Sequence, residues 1–253
     1  MRFCTLSSCL LVGLTASYLA HSQTSTPSTP SSFQVQAQTA VSAGKPFSVV
    51  NLTATAEWTA GSTHESGTAQ LQAKADGSAN LQLNAGSASR TETQTKADNS
   101  RTCVWTDAAG TSHDIVGANC FVSIPWFAPG LFTQPASQLP SLLTTIDDGV
   151  VSKDNGTFHQ VRLQLNRVGM DSTSTTQLTE RSTVKIFYDP QNFLPASLEY
   201  NIHPDGDDSH NLPVKVVFGN YQSVSGVMVP FHIEKSVNHS IQLKLDVSNA
   251  SIE

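Results

Sequence analysis

Strict alternation of apolar and polar residues over most of the chain is the feature that most limits what it can fold into. Val50, Leu52, Ala54, Ala56 and Trp58 share one phase, with Asn51, Thr53, Thr55 and Glu57 on the other. The same period recurs at Ala69, Leu71 and Ala73, and at Ala79, Leu81 and Leu83 beyond an Asp76-Gly77 turn. More polar strands are expected near residues 88–97 and 101–107. The rhythm returns at Val161, Leu163 and Leu165, at Val184, Ile186 and Tyr188, and at Leu198, Tyr200 and Ile202. Val214, Val216 and Phe218 follow, then Val227, Val229, Phe231 and Ile233, and finally Ile241, Leu243, Leu245 and Val247. A period of two with one apolar phase describes strands that bury one face only. Turn-rich connections such as Pro204-Asp205-Gly206-Asp207 favour antiparallel meanders. About 10–11 strands are enough to curl into a half-open β-barrel.

Two segments depart from this period. Phe33, Ala37, Ala40 and Val41 fit one N-terminal helix stopped by Gly44 and Pro46. Residues 119–146 carry Phe121, Trp126, Phe127, Leu131, Phe132, Leu139, Leu142, Leu143 and Ile146 between Pro125, Pro129, Pro135 and Pro140. This reads as short helices or apolar loops. The expected fold is therefore mainly β, a large curved antiparallel sheet with an N-terminal helix and short lid helices. Without an internal repeat, residues 33–253 are expected to form a single domain.

Residues 1–22 read as a signal peptide. Arg2 precedes an apolar run from Cys9 to Leu19 that is too short to span a bilayer, and Ala20-His21-Ser22 offers a small-x-small cleavage pattern near Ser22. Leu6-Ser7-Ser8-Cys9 imitates a lipobox, but Cys9 precedes most of the apolar run instead of following it. Residues 23–32 form a Ser/Thr/Pro linker. The expected location is periplasmic or secreted. Cleavage leaves Cys103 and Cys120, and one pair in an exported chain points to a disulfide.

Charge is sparse and mildly acidic, with 14 Lys and Arg against 20 Asp and Glu. Without a basic cluster to neutralise phosphates, nucleic acid is excluded as a partner, and anionic headgroups find no polybasic patch. Motifs for catalysis are missing. No G-x-S-x-G elbow occurs. Ser42-Ala43-Gly44-Lys45 matches S-x-x-K only formally, and His64-Glu65 lacks the second histidine of a zincin. Asp147-Asp148 reads as a solvated turn and Glu180-Arg181 as a strand-edge charge pair. His203, Asp205, Asp207, Asp208 and His210 are the candidate metal ligands, of a type suited to Ca²⁺ or Zn²⁺, although such clusters also cap solvated hairpins. No cofactor is called for.

The last third carries two linked signatures: Tyr188-Asp189-Pro190 followed by Leu194-Pro195, and Phe218-x-x-Tyr221-x-x-Val224-x-Gly226-Val227-x-Val229-Pro230-Phe231-x-Ile233. With the leading helix, the meander and the apolar interruption, they resemble the bacterial lipoprotein-carrier superfamily of LolA, LolB and RseB. The resemblance spans most of residues 33–253 and is specific over about 184–235. It implies an envelope-facing half-barrel whose helical lid covers a cavity for acyl chains. On that reading Trp126, Phe127, Leu131, Phe132, Leu142 and Leu143 line the lid, and Leu71, Leu81 and Leu83 face them from the sheet. The protein would then be non-catalytic and bind a lipid or lipoprotein acyl chain. The rival reading is a structural or sensing module, its interior plugged by the same side chains and its surface bound to an envelope protein. An enzyme using a metal at residues 203–210 is the third.

Overall fold

The computed structural model describes residues 32–97, 100–115, 117–123, 125–134, 143–165, 171–204, 207 and 209–253. The leader, the linker up to Ser31 and Leu142 lie outside them, and Ser32 begins the first helix instead of ending the linker. One antiparallel sheet of 13 strands dominates. In chain order these are β1 (Val49–Ala60), β2 (Thr63–Lys74), β3 (Ala79–Asn84), β4 (Arg90–Ala97), β5 (Ser100–Thr106), β6 (Ser112–Asp114), β7 (Leu143–Lys153), β8 (Gly156–Leu165), β9 (Val184–Tyr188), β10 (Pro195–Ile202), β11 (Leu212–Val224), β12 (Val227–Val237) and β13 (Ser240–Ile252). Two of them, β6 and β7, were not expected. β6 is three residues long, too short for a period to show, and β7 lies inside the stretch read as lid.

The strand order is β6-β5-β4-β3-β2-β1-β13-β12-β11-β10-β9-β8-β7. Each strand pairs with its neighbours in sequence, and β1 pairs with β13. β6 and β7 are the two edges of the sheet and do not pair, so the sheet is open and not closed into a barrel. The chain between them holds the apolar interruption.

Alternation translates directly into burial. Val50, Leu52, Ala54 and Ala56 of β1, Ala69, Leu71 and Ala73 of β2, and Leu81 and Leu83 of β3 all join one apolar core with the inward residues of β8 to β13. Three hairpins close with two-residue turns at Asp154-Asn155, Ser225-Gly226 and Asn238-His239, all with positive φ. This is the type I′ geometry that follows strand twist and suits Asn, Asp and Gly.

The two sequence signatures meet: the Tyr221 hydroxyl donates to the Pro195 carbonyl at 2.7 Å. Pro230 lies on β12 just beyond the point where pairing with β13 begins at His232. Its missing N–H therefore interrupts no ladder on that side.

Helix α1 (Ser32–Ser42) runs along the expected phase, burying Phe33, Ala37 and Val41. It packs on β12 and on the 3-10 turn Pro129–Thr133. Phe33 stacks on His159 at 3.4 Å and meets the edge of Tyr188 at 5.2 Å. Helix α2 (Gly117–Val122) follows β6, and helix α3 (Ser172–Ser182) packs on β8 and α2.

The last of these was not foreseen. Its sequence, STSTTQLTERS, has almost no apolar stripe, and its start is set by Asp171, whose side chain caps the Ser174 amide at 3.0 Å. Glu180 and Arg181 belong to this helix and not to a strand edge. Asp147 and Asp148 are also reassigned, from a turn to β7. There His159 meets Asp147 at 2.5 Å, and Arg162 grips Asp148 with two bonds of 2.6 and 2.7 Å.

Candidate functional site

Residues 125–134 of the apolar interruption pack against the inward face of the sheet. Trp126, Phe127, Leu131 and Phe132 are all buried in the main core. The 3-10 turn presses against α1 so closely that a Cβ on Gly130 would stand 3.0 Å from Val41 and 3.4 Å from Phe47. A larger residue there would need Val41 or Phe47 to give by a few tenths of an ångström. The segment is thus less a cover laid over the sheet than a wedge set into it.

Helix α2, at the start of this segment, is tied on both sides. Cys120 is bonded to Cys103 of β5, with an S–S distance of 2.05 Å. Asn119 both donates to the His203 carbonyl and accepts from the His203 amide, each at 2.7 Å. These ties span from β5 to the end of β10, across the inner face. Asn119→Ala should leave both backbone groups of His203 without their partner in a partly buried place. We expect a loss of about 1–3 kcal/mol, read from urea unfolding as a lower midpoint at unchanged slope.

Beside Trp126 a cavity of about 360 Å³ remains between the wedge and the sheet. Its apolar wall is Trp58, Leu81, Leu83, Ile202, Val214, Val237 and Leu243. Of the expected lid and cavity residues, Trp126, Leu81 and Leu83 come together here. Leu71, Phe127, Leu131 and Phe132 are buried in the core and do not line this cavity. Leu143 is the first residue of β7, only partly buried, and so belongs to the sheet edge instead of a lid. Leu142 lies outside the described residues.

Charged residues in the wall were not anticipated. Arg90 and Glu92 of β4 reach it and pair with each other at 3.1 Å. Lys235 of β12 sits with its ammonium 4.6 Å from the Trp126 ring centre. Burial pushes the Lys235 ammonium below its ordinary range, partly offset by attraction to Glu92. Burial, with the Glu92 charge adding to it, also raises the Tyr200 phenol. Lys235 could have been noticed, because it continues the apolar phase of Val227, Val229, Phe231 and Ile233 and so faces inward.

Of the candidate metal loop, His203, Asp207 and His210 are among the described residues. Asp207 is held down to about 2 by the Ser209 hydroxyl, by His210 and by the Ser209 amide. His203 is buried and its Nδ1 has no hydrogen-bond partner. Asp205 and Asp208 lie outside the described residues. Among the described residues, no group of three or more His, Cys, Asp or Glu could hold a metal ion.

A larger groove of about 780 Å³ lies beside α3. Its charges answer one another, with Lys153 on Glu199 at 3.0 Å and Lys215 on Asp154 at 2.8 Å. It is no apolar site. No described helix is long and apolar enough to cross a membrane.

No family model and no curated protein matches the chain by sequence. Solved structures do match by shape. A DUF1329 family protein from Desulfovibrio piger superposes with a TM-score of 0.52 at 10% identity, covering 87% of this chain and 90% of its own. A candidate outer membrane lipoprotein-sorting protein domain from Vibrio parahaemolyticus gives a TM-score of 0.51 at 8% identity, with 87% and 91% covered. A LolA superfamily protein from Nitrosomonas europaea gives 0.44 at 11% identity, with 88% and 92% covered. The chain shares the fold of the first two of these structures, one of them the lipoprotein-sorting domain.

Proposed function

We propose that this protein binds the acyl chain of a lipid or lipoprotein in the cell envelope, in the cavity between Trp126 and the inner face of the sheet. The observation that carries the reading is that cavity. Its volume of about 360 Å³ falls within the roughly 300–1,000 Å³ of small-ligand sites. Eight of its twelve lining residues are aliphatic or Trp, and each methylene buried there contributes about 0.8 kcal/mol. The fold adds support, since one protein sharing it is named as a candidate lipoprotein-sorting domain. Residues 32–253 act as one unit on this reading, with residues 1–22 directing export and 23–31 serving as a linker. The role is binding, without catalysis.

The burial of Phe127, Leu131 and Phe132 favours a second reading, an interaction module whose interior is already filled. Native mass spectrometry of protein recovered without detergent, followed by solvent extraction, separates the two. Acyl binding requires a stoichiometric adduct that dissociates as a lipid, or uptake of added fatty acid or phospholipid. A bare polypeptide mass with no uptake would sink that reading and leave the module.

A further inference from the structure

We propose that Lys235 anchors the acid group of the bound molecule, so that the ligand is an anionic amphiphile and not a neutral lipid. This rests on the acyl-chain reading above and specifies the headgroup.

Three ionisable side chains line the cavity: Arg90, Glu92 and Lys235. Glu92, the single carboxylate among them, is engaged by Arg90. The wall therefore holds two cations against one anion. Among the described residues, the Lys235 ammonium has neither a carboxylate within ion-pair distance nor a hydrogen bond; its contact is the Trp126 ring. An ammonium has three protons to donate and gains most from a charged acceptor. Removing it from water without one is costly.

The backbone next to Lys235 is adjusted as well. Pairing of β12 with β13 slips by one residue between Lys235 and Ser236. Because of this bulge Gln242 and Leu243, adjacent in sequence, both line the cavity instead of facing opposite sides. An amide is thereby brought to the same wall as the cation. Lys235 itself pairs with Val216 and Leu243, two buried inward residues, which fixes its direction. The result is a pocket of mixed apolar and polar lining, with one ammonium that lacks an ion-pair partner and one neutral polar group. That is the complement of a hydrocarbon chain ending in a carboxylate or a phosphate.

The test compares dodecanoate, dodecyl phosphate and dodecanol as ligands of the delipidated protein, with calorimetry or Trp fluorescence as the readout. Native protein should bind the anions about tenfold or more tightly than the alcohol, as a charged hydrogen bond allows. Lys235→Met should erase that preference while keeping dodecanol binding, and Lys235→Arg should restore most of it. Stronger binding of dodecyl phosphate than of dodecanoate would identify a phospholipid headgroup, and the reverse a free fatty acid. An acid preference that survives in Lys235→Met would overturn the anchor and leave Lys235 as packing for Trp126. If neither acid nor alcohol binds native protein, the acyl-chain reading fails and the anchor falls with it.

Discussion

Phe127→Ala should destabilise the protein by about 3–5 kcal/mol, the usual range for emptying a buried phenylalanine site. The ring is 2% exposed and meets Trp126 edge-on at 5.5 Å. It belongs to the segment between β6 and β7, where strand pairing is interrupted. Among the described residues no strand lies between β6 and β7, so little can collapse into the space the ring leaves. Urea unfolding checks this through a lower midpoint and an unchanged slope. The size of the loss also bears on function. A cost under about 1 kcal/mol would mean that the segment lifts away readily, as a lid must. The full cost would mean that a ligand enters beside Trp126 while Phe127, Leu131 and Phe132 stay in place.

Removing the Cys103–Cys120 bond should have the second largest effect. The cross-link joins residues 17 apart, and closing a loop of this size restricts the unfolded chain by about 3 kcal/mol. For a domain of this size that corresponds to roughly 6–12 °C in Tm. Both cysteines are buried, so paired serine substitutions would test the bond with less ambiguity than reductant alone. Hydrogen exchange should quicken at residues 117–123, because Asn119 would then be the remaining tie described between α2 and the sheet. Unchanged melting in the double variant would show that packing against β10 and α3 holds the helix unaided.

Much of the architecture was legible because the strands bury one face only. β1 shows why. Its apolar phase at Val50, Leu52, Ala54 and Ala56 is the phase that faces the core. Helix α1 was legible for the same reason at a different period. Helix α3 escaped because its stability comes from the Asp171 cap and from two buried residues, Leu178 and Ser182, rather than from a stripe. β7 escaped because an exposed edge strand carries no strict alternation, and Val150 on it is 68% exposed.

The site was less legible than the fold. Composition marked Trp126 and its neighbours as apolar without saying which would fill the core and which would face a cavity. That division depends on the wedge geometry, to which Gly130 and the two ties on α2 contribute across long sequence separations. Lys235 is the instructive omission. It breaks an apolar phase without ending the strand, and a charged residue inside such a phase marks a place where the interior is not dry core. Arg90 and Glu92 were harder to see, because β4 is polar in both phases.

The pairing of β1 with β13 has a consequence for how the protein comes to be folded. The ladder joins Val50 to Ile252 and Trp58 to Leu243, and Ser48 donates to the Glu253 carbonyl. A ribosome therefore releases β1 with one of its partners still some 190 residues of synthesis away. Until β13 emerges, one edge of β1 stays open and β12 lacks a neighbour. Long-range closure of this kind is slow. The order of synthesis alone would postpone completion of the core until the last strand has arrived.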